Sequence, residues 1–264
     1  MLIFSLMPES LARKAKGAKM PQFPIFSKNI ENSHANITDK KLIKHICSVL
    51  RLKIDDELLL IDENGIAYKT AIVEANKEFV KAKIIHAQES MRKLSFQLDL
   101  LQCTLKSGAM DMVVQKMTEL GTKNLYVMPS FRSVSKFATK EVNGKIEKWQ
   151  KIADESCKQC ERADRPEIFY LESMSELKEH AKNYDMVIAC VERCTEKTLK
   201  QVLRSCDKKN KILVIIGPEG GFEPKEIAFF KENGFELVSI SNLIYRAETA
   251  AISALAGVVY EYEL

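Results

Sequence analysis

KILVIIGPEGGFEPKEIAFFKENGFELVSISNLIYRAETAAISALAGVVYEYEL (211–264) decides how this chain is read. Ile212, Leu213, Val214, Ile215 and Ile216 form an unbroken apolar run, the pattern of a strand buried on both faces. It runs into GPEGGF (217–222), where three glycines in five positions permit sharp turns and close approach of a ligand to the main chain. A tight strand-to-helix turn is the plainer reading of that loop alone. Neither Gly-Lys-Ser/Thr nor GxGxxG occurs in it, so a nucleotide would have to be held without either common phosphate cradle. A second apolar run, Leu237–Ile240, leads into SISNLIYRAETAAIS (239–253), which places Arg246 and Glu248 at the start of a final helix. Free N–H groups there favour anions and polar ligands, although a lone arginine at a helix start more often pairs with a surface carboxylate.

Two loops at the carboxyl ends of buried strands belong to an open α/β sheet, which binds ligands at that edge. Further strands are expected at LDLLQCTL (98–105), NLYVMPS (124–130) and DMVIACV (185–191), with ILVIIG (212–217) and ELVSIS (236–241) completing a parallel set covered by helices. Between the first two, Met110, Val113, Val114, Met117 and Leu120 line one helical face and Gly121 stands where that helix should stop. SFRSVSKF (130–137) carries Arg132 and Lys136 among hydroxyls. KWQKIADESCKQCERADRPEI (148–168) predicts a helix with Trp149, Ile152, Ala153, Cys157 and Cys160 on its apolar side, ending near Arg162 and Arg165.

The N-terminal third reads differently. A short helix over DKKLIKHICSVL (39–50) precedes LLLIDENGIAYKTAIVEA, two apolar runs around the Glu63-Asn64-Gly65 hairpin signal, and then FVKAKIIHA. A small, mostly β domain over 20–88 is expected, with the polar QESMRKLS (88–95) as linker and a second domain over 89–264. MLIFSLMPESLARKAKGAK (1–19) puts its apolar residues before its basic ones, the reverse of a secretory signal. It is read either as a flexible basic extension or as sequence upstream of a start at Met20.

With 46% hydrophobic and 29% charged residues among 264, the composition is that of a globular protein. A net charge of +4 permits nucleic-acid binding without demonstrating it. Seven cysteines, an odd number scattered through the elements, suit a reduced, cytoplasmic compartment. Cys157 and Cys160 form a CxxC with no second pair at zinc-ribbon spacing, so core packing is favoured and no metal is expected. No apolar run is long enough to span a bilayer.

GPEGGF followed about twenty-five residues later by LIYRAETA resembles the paired signature of SPOUT-class RNA methyltransferases that use S-adenosyl-L-methionine. Within that class the chain is similar to the RsmE family, the 16S rRNA uracil-N3 methyltransferases. MPQF, HICSVLR and DDELLLIDENGIAY match the family's PUA-like RNA-binding barrel, and QKMTELG and SFRSVSKF match segments near its site. The resemblance implies a C-terminal trefoil knot, a homodimer, 16S rRNA or the small ribosomal subunit as partner, and no membrane.

By motif position it implies that Cys190, Val191, Glu192, Gly217, Pro218, Glu219, Gly220, Gly221, Ile240, Ser241, Leu243, Ile244, Tyr245 and Arg246 surround the cofactor. Arg246 and Glu248 would carry the chemistry, and Arg51, Arg132, Lys136 and Arg162 would contact RNA, with Arg162 ranked above Arg165. A small-residue face on the last helix, Ala250, Ala251, Ala254, Val258 and Val259, is expected to pack against a second subunit. Three positions depart from the family pattern: Ser241 where a glycine is usual, Leu243 where a basic residue is usual, and Glu161 where a glycine commonly precedes Arg162. They keep a second reading open, a non-catalytic RNA-binding assembly factor of the same fold.

Overall fold

The computed structural model describes residues 20–62, 65–89, 93–134, 137, 139–160, 162, 164–192, 197–205 and 207–263. Its contacts divide the chain into two compact units that meet between Glu89 and Ser90.

In the first unit, strands β1 (Gln22–Pro24), β2 (Ile30–Glu31), β3 (His34–Ile37), β4 (Glu57–Ile61), β5 (Ile66–Ala75) and β6 (Val80–Glu89) form one sheet in the order β1-β4-β5-β6-β3-β2. β1 runs parallel to β4, and every other pair is antiparallel. The expected hairpin joins β4 to β5; of its Glu63-Asn64-Gly65 signal, Glu63 and Asn64 lie outside the described residues and Gly65 stands at φ 79°. Strand alternation sends Leu58, Leu60, Ile72 and Val80 inward against Ile43 and Ile46 of the helical segment. That segment begins at Asp39, whose carboxylate accepts the Leu42 N–H at 2.8 Å, and continues as α1 (Lys40–Lys44). It then widens into a π turn over His45–Val49 and ends where Arg51 takes φ 54°. Arg51 is thus the residue that reverses the chain, and its side chain is exposed.

The second unit holds β7 (Gln97–Cys103), α2 (Ser107–Glu119), β8 (Asn124–Met128), α3 (Thr139–Cys160), β9 (Glu167–Tyr170) and α4 (Met174–Ala181). It continues through β10 (Met186–Cys190), α5 (Leu199–Arg204), β11 (Lys211–Ile216), α6 (Pro224–Glu232), β12 (Glu236–Val238) and α7 (Ala247–Glu263). The six strands are all parallel, in the order β12-β10-β11-β7-β8-β9. The period of two splits each central strand between two cores. Leu98, Leu100, Ile188, Ile212 and Val214 pack under α2, α3, α5 and α7, whereas Leu101, Val187, Ala189, Leu213 and Ile215 pack under α4 and α6. Burial on both faces is why β10 and Ile212–Ile216 of β11 read as unbroken apolar runs, whereas β7 carries the buried Asp99 and Gln102 within its own.

Several boundaries differ from expectation. β12 stops at Val238, and Ser239 makes only an isolated bridge to Thr198, so Ile240 and Ser241 belong to a loop. β9 was not anticipated: it is a four-residue edge strand with only Ile168 buried. α3 begins at Thr139, nine residues before the expected start at 148. Its CxxC, expected to pack in the core, is half-buried and belongs to neither core cluster: Cys157 Sγ faces the Asp164 carbonyl and Cys160 Sγ the Cys157 carbonyl. Burial, more than the opposing charge of Arg162, pushes the Cys157 thiol up to about 12. Gly121, at φ +88°, does end α2.

The small-residue face of α7 corrects another expectation. Ala251, Ala254 and Val258 have no exposure and are consumed inside the chain's own core, so they are not free to meet a second subunit.

Candidate functional site

At the centre of the sheet the chain order reverses, with β10 and β7 on either side of β11. A cavity of about 340 Å³ opens there, at the carboxyl ends of β10, β11 and β12, where the fold leaves a crevice between adjacent loops. Cys190, Val191 and Glu192 line it from the end of β10, and Gly217, Pro218 and Gly221 from the loop after β11. Ile240, Ser241, Leu243, Ile244 and Tyr245 close it from the loop after β12. These three stretches, expected from motif position to surround one ligand, are brought to one cavity. Glu219, Gly220 and Arg246 do not line it.

Each of those three is placed by something else. The Glu219 carboxylate accepts the Lys106 N–H at 3.2 Å and ties the loop to the start of α2. The Gly220 carbonyl accepts from Arg132 Nη1 at 3.3 Å, and a Cβ on Gly220 would stand 3.1 Å from Arg132 Cβ. Gly220 is therefore needed for close approach of a neighbouring loop. Gly221 is the residue in the left-handed region, at φ +67°, and the nearest atoms to a Cβ there are those of the Glu192 carboxylate, 3.8 Å away. Gly217 is held from behind: its carbonyl accepts from Gln102 Nε2 at 3.1 Å, and a Cβ would press on the Phe222 ring at 3.1 Å.

The loop after β12 is shaped without a glycine. Ser241 is not among the residues of positive φ, and its hydroxyl accepts the Leu243 N–H at 3.0 Å. A side-chain hydrogen bond thus makes the turn that backbone freedom would otherwise supply. Leu243 and Ile244 follow, 73% and 66% exposed at the cavity mouth. The departures at Ser241 and Leu243 leave the cavity walled and open.

Arg246 lies between two lining residues, Tyr245 and Ala247, with its own side chain exposed. Its guanidinium makes no hydrogen bond or ion pair among the described residues, and neither does the Glu248 carboxylate in the first turn of α7. Cys190 is walled in, and burial pushes its thiol up to about 12, which keeps it protonated and unreactive at neutral pH.

Of the residues expected to meet RNA, Lys136 lies outside the described residues, as does Glu161, the departure that precedes Arg162. Arg132 is half exposed on its loop, and Arg51 is exposed in the first unit. Arg162 corrects the expectation. Its side chain is 4% exposed, its Nε and Nη2 reach both Asp164 oxygens at 2.7 and 2.9 Å, and its Nη1 donates to the Thr118 carbonyl at 2.9 Å. The guanidinium is committed to the interior, where it satisfies a carbonyl near the end of α2. Burial alone would raise the Asp164 carboxyl, but the hydrogen bonds and charge of Arg162 outweigh it and hold the group below the usual carboxylate range.

Arg162→Ala would strand that carboxylate and that carbonyl, and is expected to cost about 3–5 kcal/mol in urea denaturation at pH 7. Because the folded-state pKa of Asp164 is depressed, the pairing contributes fully above the unfolded value and is lost as pH falls through the folded one. The penalty of the variant should therefore shrink in acid.

The sequence reading missed Ile216, Phe222, Ala247 and Ala250 in the lining, and Gln102 behind it. A signal for Gln102 was present, since a glutamine inside the apolar run LDLLQCTL has to be buried and hydrogen-bonded.

The class follows from the match of residues 92–259 to the RNA methyltransferase domain and of residues 37–85 to the RNA methyltransferase PUA domain: this is an RNA methyltransferase with its PUA domain. Ribosomal RNA small subunit methyltransferase E 2 of Borreliella burgdorferi is 30% identical over 220 residues, 83% of this chain and 88% of that protein. The chain belongs to the ribosomal RNA small subunit methyltransferase E family. The Bacillus subtilis member is 26% identical over 226 residues, covering 84% of this chain and 88% of its own. A crystal structure of the Neisseria gonorrhoeae member bound to S-adenosyl methionine shares the fold at TM-score 0.76 and 23% identity, covering 92% of this chain and 98% of that one.

Proposed function

We propose that this chain transfers a methyl group from S-adenosyl-L-methionine to N3 of a uridine in 16S rRNA of the small ribosomal subunit. The observation that carries the cofactor reading is the make-up of the cavity. Among its described lining residues Glu192 is the only charged side chain, and no lysine or arginine is present. Such a wall offers no cationic side chain to a phosphate and suits a cofactor with a cationic sulfonium, an amino-acid end and an adenine. The relatives named as small-subunit rRNA methyltransferases, one of them crystallised with this cofactor, support the same reading.

When bound, the cofactor supplies a methyl group already activated by its sulfonium. What the chain's residues contribute is alignment and proton handling. Backbone groups of 217–221 and 239–245 hold the polar parts of the cofactor, with Gly221 leaving room beside Glu192. Arg246 stabilises the charge that develops on uracil O2 or O4 as N3 loses its proton. Glu248 accepts that proton or positions the base. Arg51, Arg132 and Lys136 meet RNA phosphates, and residues 20–88 and 89–264 act as the RNA-binding and catalytic domains.

The C-terminal segment is read as a trefoil knot and the working form as a cytoplasmic homodimer. The exposed Leu243 and Ile244 at the cavity mouth support the dimer better than the buried face of α7 does. Among the described residues no helix is long and apolar enough to cross a membrane, and no cluster of three metal-ligating side chains occurs.

Mapping uridine N3 methylation in small-subunit rRNA from cells with and without the gene tests substrate, atom and reaction together. One mark should vanish without the gene and return with it; an unchanged map would overturn the assignment. Light scattering at micromolar concentration should give the mass of two chains, and a single-chain mass would remove the dimer.

A further inference from the structure

Glu226, in α6, is 2% exposed and takes no part in the cavity lining. A carboxylate that deeply placed is tolerated only where hydrogen bonds replace its lost hydration. Its Oε2 accepts the Glu223 N–H at 2.8 Å, and its Oε1 faces the Phe131 N–H at 3.4 Å. Those two donors belong to different loops, one following β11 and one following β8.

Arg132 makes the same junction from the other side. Its Nη1 donates to the Gly220 carbonyl at 3.3 Å, and its Nε lies 3.8 Å from the Glu223 carboxylate. A Cβ on Gly220 would sit 3.1 Å from Arg132 Cβ and 3.3 Å from the Arg132 carbonyl oxygen, so the two loops approach too closely to admit a side chain there without a shift. The 130–133 loop is closed on itself, the Ser130 N–H donating to Ser133 Oγ at 3.0 Å and the Ser133 N–H to the Ser130 carbonyl at 3.1 Å. It therefore transmits a displacement as a body rather than absorbing it.

We infer that Glu226 and Arg132 are positioning residues that join the 130–133 loop to the 217–221 loop, so that RNA engagement at the first strengthens cofactor binding beside the second. The inference rests on the reading of Arg132 and its loop as RNA-facing. A phosphate that fixes Arg132 also fixes the Gly220 carbonyl and its neighbour Gly221, a cavity wall. Ordering of that wall is then already complete when the cofactor arrives. Linkage makes the effect reciprocal: bound cofactor tightens RNA binding by the same factor.

Equilibrium dialysis with radiolabelled S-adenosylhomocysteine, with and without saturating small subunits from cells lacking the gene, measures the coupling. For the unaltered protein the subunits should tighten binding by about fivefold or more. Glu226→Gln keeps the volume but replaces one accepting oxygen with an amide nitrogen. It should bring the factor close to one while subunit binding persists. Arg132→Lys keeps a charge for phosphate but loses the fork that reaches Gly220; with subunits raised to saturate it despite its weaker RNA contact, its coupling factor should also fall close to one, which provides a second test should Glu226→Gln fold poorly.

Unchanged affinity for S-adenosylhomocysteine with subunits bound to the unaltered protein would overturn the coupling and leave the proposed reaction standing. Full coupling in both variants would overturn the assignment to these residues. Failure of the unaltered protein to bind subunits at all would remove the substrate reading, and the coupling with it.

Discussion

Arg246→Ala is expected to slow single-turnover methylation of unmethylated small subunits by about a hundredfold or more at saturating cofactor. That loss corresponds to roughly 2.7 kcal/mol of barrier. The size follows from where the side chain stands: between two lining residues, exposed, and without a hydrogen-bonding partner among the described residues. A guanidinium held by no carboxylate has its donors available for charge that exists only as N3 loses its proton. Interactions of that kind act on turnover and little on cofactor affinity. The dissociation constant for S-adenosylhomocysteine should therefore stay within about threefold of the unaltered protein. A fall in rate of less than threefold would move the chemistry to Glu248.

Gly221→Val should raise the cofactor dissociation constant by about a hundredfold or more, and two effects combine to produce it. A β-branched residue at φ +67° is strained by roughly 1–3 kcal/mol. Its methyl groups would also occupy the space beside Glu192, where a Cβ meets only a carboxylate 3.8 Å away. Gly221→Ala separates the two, because it bears the strain but fills little of the cavity. It should lower stability by about 1 kcal/mol and weaken the cofactor only several-fold. Calorimetric titration with S-adenosylhomocysteine beside thermal melts distinguishes them. Equal affinities for the valine variant and the unaltered protein would mean that the loop is a turn and nothing more. Gly220 is the less informative target, since a side chain there meets Arg132 rather than the cavity.

The difference between those adjacent glycines shows where sequence reading stops. GPEGG announces a loop that needs conformational freedom, but which glycine faces a ligand depends on Arg132, some ninety residues earlier and adjacent only after folding. The central strands were legible because burial on both faces leaves Met186–Cys190 and Ile212–Ile216 continuously apolar. β9 was not, because an edge strand with one buried side chain carries almost no pattern. The three stretches around the cavity could be placed together because parallel strands deliver their carboxyl ends to one edge. Arg162 misled for the opposite reason: charge in a sequence suggests a surface, whereas its acceptors, Asp164 and the Thr118 carbonyl, draw it inside. Similarly, small residues along α7 fit a neighbouring subunit or the chain's own core equally well, and only packing decides.

The end of α7 is fastened to the beginning of the unit. The Glu263 carboxylate accepts the Ser95 N–H, Lys208 donates to the Tyr262 carbonyl at 2.6 Å, and Glu261 pairs with Arg204 at 2.6 Å. The first of these closes 168 residues of chain, and the 239–245 wall of the cavity lies within that closure. Contacts so distant in sequence make for slow assembly, since much chain entropy is lost before they form. Once made, they must open together for the cavity to come apart, so the finished enzyme should exchange the amide protons of β7 and β11 far more slowly than those of the loops those strands carry.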